Sequence, residues 1–183
     1  MLPLLERNEL LQMVRLLKIF FLLFFILLSV YVYPASPEFP KPPEGSVQSF
    51  EPADVESSLR RGYYTNLNRQ EVIAHYEKEF NQGFLYAPRL NYPPEEAPVL
   101  IRDQTKSTFL EEITHPMRES LYINGFEPKE EQYAQFYEGV RYKQKIIVRY
   151  VPSNNWVRLA VVAGSTLFGY LLFLEYINAK KRN

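Results

Sequence analysis

Two histidines and a few acidic pairs are the residues whose type and spacing invite chemistry. Glu71, His75 and Glu79 stand four apart, so a helix would line them along one stripe. Imidazole and carboxylate groups can hold a metal, but a closed shell needs further ligands from elsewhere in the fold. A solvated helix face has the same pattern. Glu112 and His115 have the Glu-x-x-His spacing of carboxylate di-iron bundles. Those sites need two copies on four helices, and here one copy adjoins Pro116. The pairs Glu95–Glu96, Glu111–Glu112 and Glu130–Glu131 could divide acid and base work on a glycan, although adjacent surface acids look no different. The chain has no Gly-x-Gly phosphate loop, no Gly-x-Ser-x-Gly elbow and no Ser/His/Asp set that spacing supports. The expectation is no catalytic residue, no metal and no cofactor.

Two further patterns concern binding. Arg141, Lys143, Lys145 and Arg149 alternate with Tyr142, Ile146, Val148 and Tyr150, so a strand would carry a basic face opposite an apolar one. Such a row can meet an anionic partner, protect an edge or pair with acids on a neighbouring strand. Ala160 and Gly164, and again Ser165 and Gly169, are small residues four apart in an apolar run. Small residues let helix backbones approach, which predicts packing on another helix of this chain or on a twin.

Composition bounds the rest. The chain has 183 residues, 21 basic and 21 acidic, and no cysteine. Zero net charge argues against a nucleic-acid binder, and the absence of thiols excludes disulfides, thiolate catalysis and cysteine-ligated metal. Two uncharged runs stand out, Ile19 to Tyr33 and Leu159 to Leu174. With flanking residues they predict transmembrane helices over 16–33 and 156–177. A cleaved signal peptide is disfavoured, since bulky Tyr33 or an exposed Pro37 would spoil the cleavage site. Arg7, Arg15 and Lys18 precede the first run, and Lys180, Lys181 and Arg182 follow the second. By the positive-inside rule, residues 1–15 and the basic tail 178–183 are cytoplasmic, and the intervening region is outside.

Within that region, 34–52 is proline-rich and reads as an extended spacer. Residues 53–152 read as a small domain. Asn68 and Glu71 form a capping box for a helix over 69–80, with Leu67 stapled to Val72 and a stop at Asn81-Gln82-Gly83. Short strands are predicted at 62–65 and 84–87, and a loop at 91–98. A second helix is predicted from a Thr108/Glu111 box, with Phe109, Ile113, Met117 and Leu121 on one face, Pro116 as a kink and Asn124-Gly125 as its cap. A strand over 141–151 would pair with 132–137 across Glu138-Gly139. The predicted fold class is α+β: two transmembrane helices flank a small extracytoplasmic domain with two helices packed on an antiparallel or mixed sheet. The expected function is a membrane-anchored binding or accessory domain. The alternatives are an envelope hydrolase using an unidentified carboxylate, or a two-helix subunit of a membrane complex. The expected partners are the lipid bilayer and a membrane protein or second copy, with no nucleic acid.

Overall fold

The computed structural model describes residues 4–80, 90–92 and 108–182. The chain separates into a helical unit, up to Ala35 and from Asn154 onward, and a sheet unit, Ser36–Ser153.

The helical unit consists of α1 (Leu4–Val32) and α3 (Asn155–Arg182). Their apolar stretches, Leu11–Val32 and Asn155–Ala179, hold 22 and 25 residues. At 1.5 Å per residue these reach about 33 and 37 Å, enough to cross a hydrocarbon core of about 30 Å. The helices pack antiparallel. Gly169 of α3 faces Phe21 of α1, where a Cβ would lie 3.5 Å from the ring, and that ring meets Tyr170 edge-on at 5.7 Å. The inward stripe of α3 runs through Val162, Thr166, Gly169, Phe173 and Ile177 in steps of three and four, the spacing that keeps one seam on a partner helix. The carbonyls just past the end of α1 are bonded by side chains of α3. Asn155 Nδ2 donates to Tyr33 O at 3.2 Å, and the Arg158 guanidinium donates to Pro34 O at 2.7 Å. A cation buried at a helix C-terminus satisfies orphan carbonyls and opposes their partial negative charge.

In the sheet unit, six strands among the described residues form one antiparallel sheet: β1 (Val47–Ser49), β2 (Arg60–Thr65), β3 (Leu90–Tyr92), β4 (Phe109–Thr114), β5 (Ser120–Phe126) and β8 (Gln144–Val151). Their spatial order is β1-β2-β8-β5-β4-β3. A separate hairpin joins β6 (Gln135–Tyr137) to β7 (Val140–Tyr142). The helix α2 (Arg69–Phe80) covers one face and contacts β4 and β5. Val72, Tyr76 and Phe80 of α2 enclose the core with Tyr63, Phe109, Ile113, Leu121, Ile123, Ile146, Val148 and Tyr150.

The capping box of α2 forms as its sequence predicts. Glu71 N–H donates to Asn68 Oδ1 at 2.9 Å, and Asn68 N–H donates to Glu71 Oε2 at 2.7 Å. In β8 the even residues from Gln144 to Tyr150 are buried, matching the predicted apolar face. Glu138 and Gly139 have φ of 50° and 78°, the two positive values of a tight hairpin turn whose twist suits the flanking strands. The predicted strand over 141–151, however, breaks at Lys143. Its first part belongs to the small hairpin and the rest to the main sheet.

The second predicted helix is a correction. Residues 108–121 form β4, a turn and the start of β5. Spacing of four does not separate the two structures, because i and i+4 share a face in a strand as well as in a helix. Pro116 decides the outcome by taking the second position of a turn closed by Arg118 N–H on His115 O at 2.9 Å, with Met117 at φ 62°. Asn124-Gly125 is not a helix cap but mid-strand. The ring of Phe109 lies where a Cβ at Gly125 would be, so only glycine fits.

Two loops also differ. Asn91 and Tyr92, predicted within a loop, lie in β3, whose backbone completes the edge of β4; residues 93–98 fall outside the described residues. The stop at 81–83 and the strand at 84–87 also fall outside them. The proline-rich stretch 34–52 is extended, but from Ser36 onward it lies on the sheet unit. Phe39 packs on the core, Tyr150 Oη donates to Pro37 O at 2.7 Å, and Val47–Ser49 supplies the edge strand β1.

Candidate functional site

Among the described residues the sheet unit holds three polar clusters, each built on a buried carboxylate, and none matches a single sequence motif.

The first surrounds Glu119, which follows the β4–β5 turn. Its side chain is 0% exposed. It accepts hydrogen bonds from His115 Nδ1 and Arg118 Nη2, both at 2.9 Å, and lies 3.1 Å from Ser36 Oγ. Ser36 Oγ also accepts from Ser153 N–H at 3.2 Å and stands 2.9 Å from Ser153 O. The first and last residues of the sheet unit are thus clasped to each other and to the turn. Phe80 stacks on the His115 ring at 4.8 Å, tying the end of α2 to the same point. Burial pushes the Glu119 carboxyl upward, but the His115 hydrogen bond, the Arg118 charge and Ser36 outweigh it and hold its pKa below the ordinary range.

This cluster brings a serine, a histidine and a carboxylate together in an order unlike a nucleophilic triad. A triad places the imidazole between hydroxyl and carboxylate, so that the base takes the hydroxyl proton. Here the carboxylate stands between Ser36 and His115. The imidazole does not reach the hydroxyl, and the arrangement serves as a clasp.

The second cluster lies on β2, β8 and the segment after β1. Lys145 Nζ lies 2.8 Å from Glu51 Oε2 and 2.7 Å from Asp54 Oδ2, and Tyr64 Oη donates to Glu51 Oε1 at 2.6 Å. Asp54 is buried against Gly62, where a Cβ would come 2.6 Å from its Cγ. Burial alone would lower the Lys145 pKa, but Asp54 and Glu51 raise it above its usual value. A lysine held protonated in this way is a poor nucleophile. The same contacts hold Glu51 low, the Lys145 hydrogen bond foremost, while burial and Glu51 push Tyr64 up.

The third cluster ties the start of α2 to β4. Glu111, 1% exposed, pairs with Arg69, and its Oε2 has no hydrogen-bond partner among the described residues. Burial raises its pKa despite Arg69, with the Glu77 charge adding to the rise. A raised carboxyl pKa is one feature of a general acid, but this carboxyl faces the core beneath α2.

The residues singled out by spacing fall as follows. Glu71, His75 and Glu79 do lie on α2, and His75 Nε2 is 2.9 Å from Lys41 O. Glu112 and His115 lie on β4 and its turn, without a helix. Among the described residues no group of three His, Cys, Asp or Glu is placed to hold a metal ion. Glu130 and Glu131 are exposed, whereas Glu111 and Glu112 are buried; Glu95 and Glu96 are outside the described residues. The basic row is divided among acids. Arg141 pairs with Glu131 at 2.6 Å, Lys143 with Glu127 at 3.3 Å, and Lys145 with Glu51 and Asp54. Arg149 is exposed and has no ion pair among the described residues. Of the small residues, Gly169 faces α1, whereas Ala160, Gly164 and Ser165 are exposed on other sides of α3.

Spacing does not reveal Ser36 or Asp54, because their partners are distant in sequence; Glu119 has His115 and Arg118 close by, but that signal is absorbed by the helix predicted over the same residues. Two signals were present all the same. A glycine inside the strand pattern at Gly62 marks a close approach, and Arg158 at the edge of an apolar run implies a polar partner. No protein-family model matches this chain, nor does any curated protein or solved structure.

Proposed function

We propose that this chain is a membrane-anchored binding or accessory domain, with the sheet unit outside the membrane and both termini in the cytoplasm. The observation that carries this reading is the surface of the helix pair. Away from their seam, both helices present large apolar side chains, with Leu27 70% and Phe168 64% exposed. Helices apolar on the outside as well as at the seam suit a lipid surround and are poorly suited to water. The basic flanks, Arg7, Arg15 and Lys18 at one end and Lys180, Lys181 and Arg182 at the other, support the orientation. A role in contact rather than turnover is supported by the buried clusters, whose charges join α2, the strands and the two ends of the sheet unit.

The absence of cysteine makes the test direct. Single-cysteine variants at Glu44, an exposed position of the sheet unit, and at Asn183 are treated with an impermeant thiol reagent in intact cells or spheroplasts. The expected result is labelling at residue 44 and protection at residue 183; the reverse pattern overturns the orientation. An accessory role further predicts that the full chain, extracted gently from its membrane, migrates in a complex larger than its own micelle. Migration alone counts against it.

A further inference from the structure

We infer that the groove between α1 and α3 holds one anionic phospholipid, its acyl chain along the groove and its phosphate on Lys18. This rests on the helices lying in a bilayer. The groove is shallow and open along one side and offers about 360 Å³, room for part of an acyl chain. Its walls include Phe21, Leu22, Phe25, Ala163 and Leu167, an apolar trough suited to a hydrocarbon chain. At the end toward the start of α1 and the finish of α3 stand Lys18 and Tyr170, and the Thr166 side chain is a further polar group along the trough. Lys18 has no ion pair and Tyr170 no hydrogen bond among the described residues, so an ammonium and a phenol donor are open at the mouth.

Charge complementarity selects the occupant. The same end carries Arg7 and Arg15 on α1 and Lys180, Lys181 and Arg182 on the last turn of α3, against Glu6 and Glu9 on α1 and Glu175 on α3, so with Lys18 the balance there is basic. A neutral lipid would fill the trough but leave this field unmatched. A phosphate without a compensating headgroup cation matches it, each nearby basic residue favouring an anionic surface by roughly fivefold. A second copy of the chain would fill the trough with apolar side chains and leave Lys18 facing hydrocarbon, at a penalty.

The test uses the full-length chain in nanodiscs of equal phosphatidylglycerol and phosphatidylcholine, with retained lipid counted by native mass spectrometry. The expected result is one lipid per chain, with phosphatidylglycerol enriched about fivefold. Lys18→Gln should bring the two lipids to parity, and Leu167→Trp, which fills the trough, should abolish retention of both. Parity in the wild type overturns the proposal, as does enrichment that survives Lys18→Gln. Enrichment that survives Leu167→Trp assigns the lipid to the tail cations and also overturns it. A dimer that cross-links through a cysteine at Leu22 would show the trough occupied by a second copy. Release of the chain from membranes by alkaline carbonate would sink the membrane reading with the lipid, whereas firm integration with lipid parity would sink the lipid alone.

Discussion

Glu119→Gln is the sharpest perturbation of the sheet unit. The side chain is fully buried, and three groups converge on it: His115, Arg118 and Ser36. The amide keeps the volume but loses the charge, and it turns an N–H₂ toward groups that are themselves donors. The Arg118 side chain, 6% exposed, then lies against a neutral group. Removing one partner of a buried ion pair costs about 3–5 kcal/mol. Because Gln can still accept one hydrogen bond, about 3 kcal/mol is expected, the low end of that range. Hydrogen exchange of the full chain in detergent reads this directly. The amide of His115, bonded to Glu119 O, should lose about a hundredfold in protection, as should the segment after Ser36. The pH dependence supplies a second readout. A carboxylate whose pKa is lower when folded stabilises the fold above its unfolded value of about 4.3. That stability is lost as pH falls from there through the depressed folded value. The variant lacks this titration, so its stability curve should be flatter than wild type below about pH 4.3. Unchanged protection at residue 115, or parallel acid curves for the two proteins, would refute the clasp.

The remaining expectations concern single contacts. Asn68→Ala should lower the denaturation midpoint of the sheet unit by the equivalent of about 1 kcal/mol, because it removes the Glu71 N–H acceptor. Lys145→Met should destabilise the sheet unit near neutral pH, because Asp54 and Glu51 lose their counter-charge. In wild type the Lys145 contribution is full below its unfolded pKa of about 10.4 and fades as pH rises through the higher folded value, an alkaline transition the variant should lack. Gly169→Ala should leave the thermal midpoint in detergent nearly unchanged, since a Cβ sits at ordinary contact distance from Phe21, whereas Gly169→Leu should lower it by displacing that ring. Arg158→Ala should lower the same midpoint by the equivalent of about 1–3 kcal/mol, with loss of the Pro34 O bond; no change would show that this side chain does not hold the helices together.

Much of the architecture is legible in the sequence where one physical signal acts alone. Length and apolarity mark both long helices, and Asn68 and Glu71 mark the start of α2 because a capping box is a local, reciprocal pair of bonds. The buried face of β8 is legible because its alternation runs without a break from Gln144 to Tyr150. Legibility ends where two periods agree. Phe109, Ile113, Met117 and Leu121 satisfy a helix or a strand, and the choice falls to Pro116, which reads equally as a kink or as a turn. The clusters are harder still. Lys145 meets Glu51 and Asp54 across 94 and 91 positions of chain, so alternation of charge along β8 exposes the cation but not its partners. The same blindness makes Glu111 look like a surface acid when β4 turns it under α2.

The place of β8 in the sheet bears on how the chain is made. β1 and β2 lie on one side of it and β5, β4 and β3 on the other, and they meet only through it. Yet β8 is the strand of this sheet translated last. While the ribosome is still making it, the nascent chain carries two partial sheets, each with an unpaired edge where β8 will enter. Such edges invite mispairing with other chains, and pairings this distant in sequence form slowly. Asn155, the first residue of α3, follows β8 by a few residues, so closure of the sheet and delivery of the second long helix are consecutive steps of biosynthesis. A pause in translation between Tyr142 and Asn155 would hold the molecule in its most aggregation-prone form.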